Sequence, residues 1–454
     1  MRKEKHDMEK QWEAMTTSER QEAMFDRWLS PAKATFTDPQ AEKDYRARVN
    51  RLKDVVQLKK EPDRVPVVPM VGFYPAAYMG KTPWDAMYDY KTLDETYTRF
   101  MLDFQPDAHT GLGVAAPGKV YEILDYKLYA WPGHGVPKTR GYQAIEGEYM
   151  QADEYDALIQ DPTNYFLTRY LPRIFGSLQP LTSLSPFTNI LEMYGGFTAA
   201  ALIPFGVPPV QEALKKLMQA GDAALEWAGT FGAYGPKMAG MGYPGFFGGG
   251  CKAPFDTIAD TLRGTRGIIK DMYRQPGKLL EALEAFTPIM IKMGSSACKM
   301  NGNPICFMPL HKGADGFMSD AQFKKFYWPT LKKAIEGLIA EGCVPFPWAE
   351  GGFNSRLDII GDVPAGSMIW GFDDTNMAEA KKKLGKVACI CGNVQTSALT
   401  IGGVDELNTV VRKLIDDCAP GGGYLMMNGA SLDECKADNM KAMINTTKEY
   451  GVYK

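Results

Sequence analysis

The sequence predicts an α/β protein built as a (β/α)8 TIM barrel with an N-terminal helical extension and long inserted loops. In the second half of the chain, apolar runs alternate with amphipathic helical segments at intervals of roughly 20–40 residues, which is typical of a parallel sheet. The runs are continuously apolar, as expected of strands that are covered on both faces. No G-x-G-x-x-G follows the first strand and no G-x-x-x-x-G-K-[ST] occurs, so a nucleotide-binding doubly wound fold is disfavoured.

The first part of the chain divides into a polar helical segment and a less regular one. Residues 1–60 are predicted to form the extension, since Thr16 and Glu19 fit a capping box and Ser30-Pro31 ends the first helix. This extension either forms a dimer contact or covers the floor of the barrel. Residues 61–454 are assigned to the barrel, whose first strand is Val65–Val71. From there to about residue 260 the chain is rich in Gly, Pro and aromatic residues, which predicts long loops and short helices.

The remaining elements follow in regular order. The predicted strands are 305–309, 344–348, 368–372, 387–391 and 423–427. Helices are predicted from Ser319 onward, near 355–360, over "MAEAKKKLG", around 407–415 and at about 436–449. Strand followed by helix, five times over, is the second half of a (β/α)8 barrel.

Composition narrows the class of function. The net charge is −3, and no Lys/Arg-rich stretch indicates nucleic-acid binding. No run of about 18 apolar residues predicts a membrane span, and the charged start has no apolar signal core. We therefore expect a cytoplasmic enzyme that binds neither nucleic acid nor membrane. The eight cysteines are expected to be thiols.

A polar residue follows each of the five predicted strands. Because barrel chemistry sits at the carboxyl ends of the strands, these residues form a candidate site: His311, Glu350, Asp373, Asn393 and Asn428. Cys391 ends the fourth of these strands, and of the pair Cys389-x-Cys391 we expect only one thiol to face the barrel interior. We assign Glu350, Asp373 and His311 as catalytic, and Arg356, Trp348, Asn393 and Asn428 as substrate-binding.

Each of these residues also has a structural interpretation. Glu350 could pair with Arg356, Asp373 and Asp374 could cap the helix at Met377, and Cys391 could be a small core residue. His311 could support another ligand rather than react. His134, in a Gly/Pro loop, is more simply structural than catalytic.

Several stretches resemble the uroporphyrinogen decarboxylase superfamily. They are "DRVPVVPM" (63–70), "APFDTIADTLRGTRGIIKDMYRQPGKLLEAL" (253–283), "GFMSDAQFKKFYWPTLKKAIEGLIAEG" (316–342), "CGNVQTSALTIGGVDELNTVVRKLID" (391–416) and "GGGYLMMNGASLDECKADNMKAM" (421–443). The resemblance implies a (β/α)8 barrel and one of two chemistries, decarboxylation of a porphyrinogen or methyl transfer involving a corrinoid. The arginine-rich stretch of the decarboxylases corresponds here to "MVGFYPAAYMG" (70–80), which has no arginine to hold substrate carboxylates.

The resemblance is therefore closer to the corrinoid-dependent methyltransferases of anaerobic metabolism. Their H-x-C zinc motif corresponds to Trp348-Ala349-Glu350, and their late cysteine falls in "MNGAS" (427–431), which has none. Zinc ligation by Glu350 and Asp373 with Cys391 or His311 is implied instead. The resemblance also implies a small methylated substrate, a corrinoid (cobalamin) carried by a separate partner protein, and a homodimer. The alternatives are a cofactor-free decarboxylase or lyase, and a non-catalytic tetrapyrrole-binding or corrinoid-binding module.

Overall fold

The architecture was obtained as a computed structural model, which describes residues 12–190, 192 and 198–453. Within these residues no helix is both long and apolar enough to cross a bilayer. The predicted capping box is confirmed, since the Thr16 side chain accepts the Glu19 N–H and Glu19 accepts the Thr16 N–H. The first helix, α1, spans Thr17–Leu29, and Ser30 is its C-cap as predicted.

The segment between the extension and the third barrel strand holds more helix than the sequence predicts. Helix α2 (Pro39–Gln57) still belongs to the extension, and the helices that follow it are, in chain order, α3 (Tyr74–Tyr78), α4 (Pro83–Tyr88), α5 (Tyr90–Phe104), α6 (Gly118–Leu124), α7 (Tyr155–Gln160), α8 (Pro162–Tyr165), α9 (Leu171–Ile174), α10 (Ile203–Gly206) and α11 (Pro208–Gly240). Short strands β1 (Tyr129–Pro132), β2 (Gly135–Val136) and β3 (Gln143–Ala144) form a separate small sheet. The expectation of only short helices is wrong for α11, which has 33 residues.

The second half follows the predicted order closely. Its strands are β4 (Gly249–Gly250), β5 (Ile305–Leu310), β6 (Val344–Ala349), β7 (Ile369–Phe372), β8 (Cys389–Cys391) and β9 (Tyr424–Leu425), which form one parallel sheet in that order. Its helices are α12 (Pro254–Asp256), α13 (Gly264–Arg274), α14 (Pro276–Asn301), α15 (Asp320–Gln322), α16 (Trp328–Ala340), α17 (Met377–Leu384), α18 (Thr396–Thr400), α19 (Val404–Cys418) and α20 (Ala437–Tyr450). A π-helical segment, Thr257–Arg263, continues α12.

Backbone hydrogen bonds join the two ends of this sheet through two further strand segments. Residues 65–71 lie beside the last strand, because the Val68 N–H donates to Met426 O and the Met426 N–H donates to Pro66 O. The Asp107 N–H donates to Val67 O, and residues 107–109 pair in turn with residues 244–246 before β4. Eight segments thus follow one another in a ring of backbone hydrogen bonds, and the predicted (β/α)8 barrel is confirmed.

Buried side chains separate into an inner and an outer layer. Alternate residues of each strand, such as Phe346 and Trp348, form the inner cluster that fills the barrel. The intervening residues pack outward against the surrounding helices. The inner cluster also contains Phe25, Trp28 and Val49 of α1 and α2, together with Val344 at the start of β6. The N-terminal helices therefore cover the floor of the barrel.

Candidate active site

The candidate site lies where the inward-facing positions emerge at the carboxyl ends of the strands. Phe307, Trp348 and Cys391 belong to the inner layer or pack against it. Strand alternation places residues 311, 350, 373 and 393 on the same inward side, one or two pleats higher. Two glycines leave room for the side chains at this end of the barrel. A Cβ at Gly371 would overlap the Trp348 ring, and a Cβ at Gly429 would lie 3.0 Å from Asp373 Oδ1. Polar groups thus stand above an apolar floor.

His311 lies between two carboxylates. Its Nδ1 is 2.5 Å from Asp260 Oδ2, and its Nε2 is 3.6 Å from Glu350 Oε2. Asp260 is mostly buried, whereas about half of the Glu350 side chain is exposed. Two of the predicted catalytic residues, His311 and Glu350, are thus brought together, with the Nε2 edge of the imidazole turned toward the open side.

A second aspartate fixes the turn that carries His311. The Asp256 carboxylate is fully buried and accepts the backbone N–H groups of His311 at 3.2 Å and Lys312 at 2.9 Å. It also accepts the Tyr327 hydroxyl at 2.5 Å. Asp256 and Asp260 lie four residues apart on the helical segment after β4, so both face the end of β5.

The cations near this cluster are already paired. Lys252 Nζ lies 2.8 Å from Asp260 Oδ2, and Lys312 Nζ lies 3.6 Å from Asp260 Oδ1. Lys312 also donates to Thr265 at 3.0 Å. Both lysines therefore neutralise Asp260 rather than standing free to hold an anionic substrate.

These contacts set the protonation states of the cluster. Burial alone would lower the pKa of His311, but the hydrogen bond to Asp260 and the nearby Glu350 outweigh it and raise that pKa to about 10. Burial also opposes ionisation of Asp260, yet His311 and Lys252 hold its pKa below the ordinary value. Burial and the neighbouring Asp260 raise the pKa of Asp256. The cluster therefore holds its proton on His311 at neutral pH.

Asp373 lies on the same rim without touching His311. Its Oδ2 accepts the Gly351 N–H at 3.2 Å, next to Glu350 in the chain. Burial raises the pKa of Asp373, and the charge of Glu350 adds to this. The alternative that Asp373 or Asp374 caps α17 is wrong, because the N-cap is Asn376, which accepts the Glu379 N–H.

The structure does not bring the predicted substrate-binding residue Arg356 into this cluster. Its guanidinium is buried and donates to Gly313 O, Met318 O and Asp320, with Asp315 3.6 Å away. The alternative pairing of Arg356 with Glu350 is therefore not formed.

The two predicted asparagines also have backbone partners. Asn428 is fully buried and binds both the N–H and the C=O of Met70, which fastens the last strand to the first. Asn393 donates to Thr375 O at 2.8 Å. The direction that each amide takes is set by these partners, and a substrate-binding role for either stays a prediction.

The predicted metal ligands do not converge. Cys391 is fully buried below the rim, its sulfur 3.7 Å from Met427 Sδ, and burial raises its pKa well above the ordinary range. The expectation that only one cysteine of the pair faces inward is wrong, because Cys389 and Cys391 are two residues apart and both belong to the inner layer. Across the described residues, no three His, Cys, Asp or Glu side chains are arranged to hold a metal ion. The donor set therefore does not fit the implied zinc, and its ligation by Glu350, Asp373 and Cys391 stays a prediction.

Asp256 and Asp260 belong to the candidate site by their contacts with residues 311 and 312, and the sequence did not predict them. Strand β4, the third strand of the barrel, is only two glycines long. The sequence therefore has no apolar run there whose carboxyl end could be recognised. The signal was nevertheless present, since "KAPFDTIAD" places two aspartates one helical turn apart directly after the glycine run.

We expect His311 to titrate near pH 10 in the folded protein. Unfolded histidine titrates near about 6.5, so the proton on His311 stabilises the fold fully below that pH, and this contribution is lost as the pH rises toward 10. Histidine NMR resonances measured from pH 5 to 10.5 test this. His109 is the internal contrast, because burial lowers its pKa to about 4. A His311 midpoint near 6.5 would contradict the paired geometry.

Comparison with known proteins finds a family model that matches part of this chain. Residues 246–450 match the family model for uroporphyrinogen decarboxylase (URO-D), which confirms the predicted resemblance for that part of the chain. Among solved structures, a methyltransferase from Methanosarcina mazei superposes with a TM-score of 0.57 at 16% identity, covering 89% of this chain and 98% of that one. At this identity the likeness establishes a shared fold.

A second structure is more distant. A B12-independent methionine synthase from Shewanella sp. W3-18-1, in complex with selenomethionine, has a TM-score of 0.32 and 13% identity, covering 44% of this chain and 60% of that one. This score is too low to establish a shared fold. No curated protein sequence matches the chain.

Proposed function

We propose that this chain is a methyltransferase that moves a methyl group between a small methylated substrate and a corrinoid carried by a partner protein. The observation that carries the proposal is the His311 imidazolium, held between Asp260 and Glu350 above an apolar floor. The shared fold with the Methanosarcina mazei methyltransferase is consistent with it. The paired state of Lys252 and Lys312 argues against a substrate with many carboxylates.

The chain's part in the reaction is to supply one proton. The corrinoid, when its partner protein presents it, supplies the electron pair that takes up the methyl group. As the bond between the methyl carbon and its heteroatom breaks, the bonding electrons stay on the heteroatom, which accepts the proton of His311 Nε2. Asp260 holds the imidazole by Nδ1 and stabilises its charge, in the manner of an oriented acid–base pair. Solvent beside the half-exposed Glu350 returns the proton to Nε2.

One observation favours a second candidate, a decarboxylase or lyase. Glu350 and Asp373 are neighbouring carboxyl groups, and burial with the charge of Glu350 raises the pKa of Asp373. Such a pair has one member suited to donate a proton and one suited to accept it. A cofactor-free reaction on a smaller acid would use this pair rather than His311.

An anoxic absorbance assay with free cob(I)alamin as the probe separates these functions. The chain is mixed with methoxylated aromatics, methylamines and methyl thioethers, each alone and with the probe. We expect cob(I)alamin to be consumed only when both the chain and one of these compounds are present. Release of CO2 from a carboxylic acid without the corrinoid would favour the lyase. Tight corrinoid binding without turnover of any compound would favour the binding module.

A further inference from the structure

Four of the eight cysteines lie together on the outer side of the barrel wall, under the helix α14. They are Cys251 after β4, Cys298 in the last turn of α14, Cys306 on β5 and Cys343 just before β6. All four are free thiols, and these residues are between 0% and 6% exposed. In the part of the chain that the structure describes, no three ligand side chains are arranged around a common metal position, so the thiols do not form a metal site.

The four thiols contact one another in a fixed order. Cys306 makes side-chain hydrogen bonds with Cys251 and Cys298. Cys298 makes a second such bond, with Cys343. Gly294 of α14 leaves room for the group, because a Cβ there would lie 2.6 Å from Cys306 Sγ and 3.3 Å from Cys251 Sγ. Helix α14 therefore packs against the strands through a glycine, and the thiols fill the space that a larger side chain would take.

The pair Cys298 and Cys306 has the backbone spacing that a disulfide needs. Gly249 is the neighbour of Cys306 across the parallel strands β4 and β5, and such neighbours are about 4.8 Å apart. A Cβ at Gly249 would lie 3.0 Å from the backbone nitrogen of Cys298. Cys298 thus lies over Gly249, about one strand spacing from Cys306, and disulfides join residues whose Cα atoms are about 4.4–6.8 Å apart. Cys251 is offset from Cys306 by two residues along the neighbouring strand, which is a longer span.

Cys298 is the thiol of this pair that reacts first. The hydrogen bonds from Cys306 and Cys343 outweigh burial and lower the pKa of Cys298 below its ordinary value, which favours the nucleophilic thiolate. The hydrogen bonds of Cys306, together with burial, raise the pKa of that thiol, so it stays protonated. Cys298 lies in the last turn of α14, where Met300 is 75% exposed, and opening of this turn admits a small oxidant.

We propose that Cys298 and Cys306 form an oxidation site, at which a hydroperoxide converts the two thiols into a disulfide. The Cys298 thiolate attacks one oxygen of hydrogen peroxide, the O–O bond breaks, and the other oxygen leaves as water, with the proton that Cys298 has given up. The Cys306 sulfur then attacks the sulfenic acid at Cys298, an S–S bond forms, and the sulfenic oxygen leaves as a second water with the proton of Cys306. Two thiols are oxidised by two electrons, and the peroxide is reduced to two waters.

The disulfide fastens the end of α14 to β5, the strand that leads into His311. The inference does not depend on the reaction that the barrel catalyses, since neither cysteine contacts the residues around His311.

Hydrogen peroxide treatment of the full chain, followed by alkylation and tryptic mass spectrometry, tests the proposal. Trypsin places Cys298 in peptide 293–299 and Cys306 in peptide 300–312, and neither peptide contains another cysteine. We expect these two peptides to be joined by a disulfide. The thiols that can be titrated in denaturant should fall from the eight of the reduced chain to six. Dithiothreitol should restore all eight.

A single substitution with a matched control identifies the reacting thiol. Cys298→Ser should abolish the cross-link and slow the loss of thiols at least about tenfold. Cys418→Ser is the control, because Cys418 is also a fully buried thiol near a helix end but bonds only to Met377 O, and it should leave the cross-link unchanged. Circular dichroism melts establish that each variant is folded.

Three results would overturn the proposal. One is a wild-type chain that keeps its eight thiols in peroxide, or in which Cys298 is oxidised only to the sulfinic acid. Another is a disulfide from Cys298 to any cysteine other than Cys306. The third is a cross-link that forms as fast in the urea-unfolded chain, since the folded arrangement would then not be its cause.

Discussion

His311→Gln should lower turnover by about 100- to 1,000-fold, within the range that a positioned proton donor contributes. Glutamine can still donate a hydrogen bond from nearly the same place, but it has no proton to give up to a leaving heteroatom. The loss should therefore fall on kcat, with little change in KM. Steady-state rates with the methylated compound and free cob(I)alamin measure it.

The chain offers a matched control for this variant. His134 also pairs with a carboxylate, since its Nε2 lies 2.8 Å from Glu122, but it belongs to the loop after β1. His134→Gln should leave kcat within about threefold, because no group around His311 depends on it. If His311→Gln were equally mild, the proton-donor role would be wrong.

Asp260→Asn gives the same proposal a second readout. Removing the carboxylate removes the main interaction that raises the pKa of His311, so its acidic form should be lost at a lower pH. The descending limb of the pH–rate profile should then move toward neutrality. A residue with a merely structural role would lower the rate at every pH without moving this limb.

The strands and the rim residues of the second half were predictable because each strand there is a continuous apolar run, as a covered parallel sheet requires. A continuous apolar run such as Val344–Ala349 can be buried on both faces only within a covered parallel sheet. The residue just beyond such a run must then stand on the rim. This reasoning needs no knowledge of distant parts of the chain, and it found His311 and Glu350.

The helical segment that carries Asp256 and Asp260, and the helix α11, were missed because their local sequences do not favour these elements. Strand β4 consists only of Gly249 and Gly250, so it has no apolar side chains from which a strand could be predicted. Helix α11 begins with two prolines and contains Pro236 and several glycines, which by propensity favour loops. Tertiary packing of its buried face stabilises the helix, and this stabilisation outweighs the unfavourable helix propensities.

The directions of individual polar side chains could not be predicted from the sequence. Arg356 lies six residues after Glu350, yet its buried guanidinium is held by Asp320 and three backbone carbonyls. Asn428 was expected to bind substrate, and it binds the backbone of Met70 from the opposite end of the chain. Such choices depend on partners outside the local sequence, which lie 36 residues away for Arg356 and Asp320 and 358 residues away for Asn428 and Met70.

The closure of the barrel depends on a buried ionic cluster at Asp107. This carboxylate is 1% exposed and pairs with Arg51 at 2.8 Å and Arg64 at 2.7 Å. It also accepts the Val67 N–H at 2.8 Å, while its own N–H donates to Val67 O. One residue thus ties the second barrel segment to the first and joins both to α2.

We expect Asp107→Ala to lower the free energy of unfolding by about 3–5 kcal/mol, the range seen when one partner of a buried ion pair is removed. Arg51 is only 9% exposed and would retain Asp63 alone, at 2.6 Å, and the Val67 N–H would lose its acceptor. Urea unfolding followed by tryptophan fluorescence measures the change. Asp417→Ala is the control, because its pairing with Lys413 within α19 is a surface contact between helical neighbours, and it should cost no more than about 0.5 kcal/mol.

The pH dependence of the stability difference between wild type and Asp107→Ala shows whether the charge of the carboxylate causes it. Burial would raise the pKa of Asp107, but the two arginines outweigh it and hold that pKa below the ordinary value. The stabilisation is therefore complete above the unfolded pKa of about 3.9, and it is lost as the pH falls through the lower folded value. The gap between wild type and Asp107→Ala should be constant from pH 5 to 8 and should narrow in stronger acid. A gap that stayed the same in acid would mean that the carboxylate acts through packing and not through its charge.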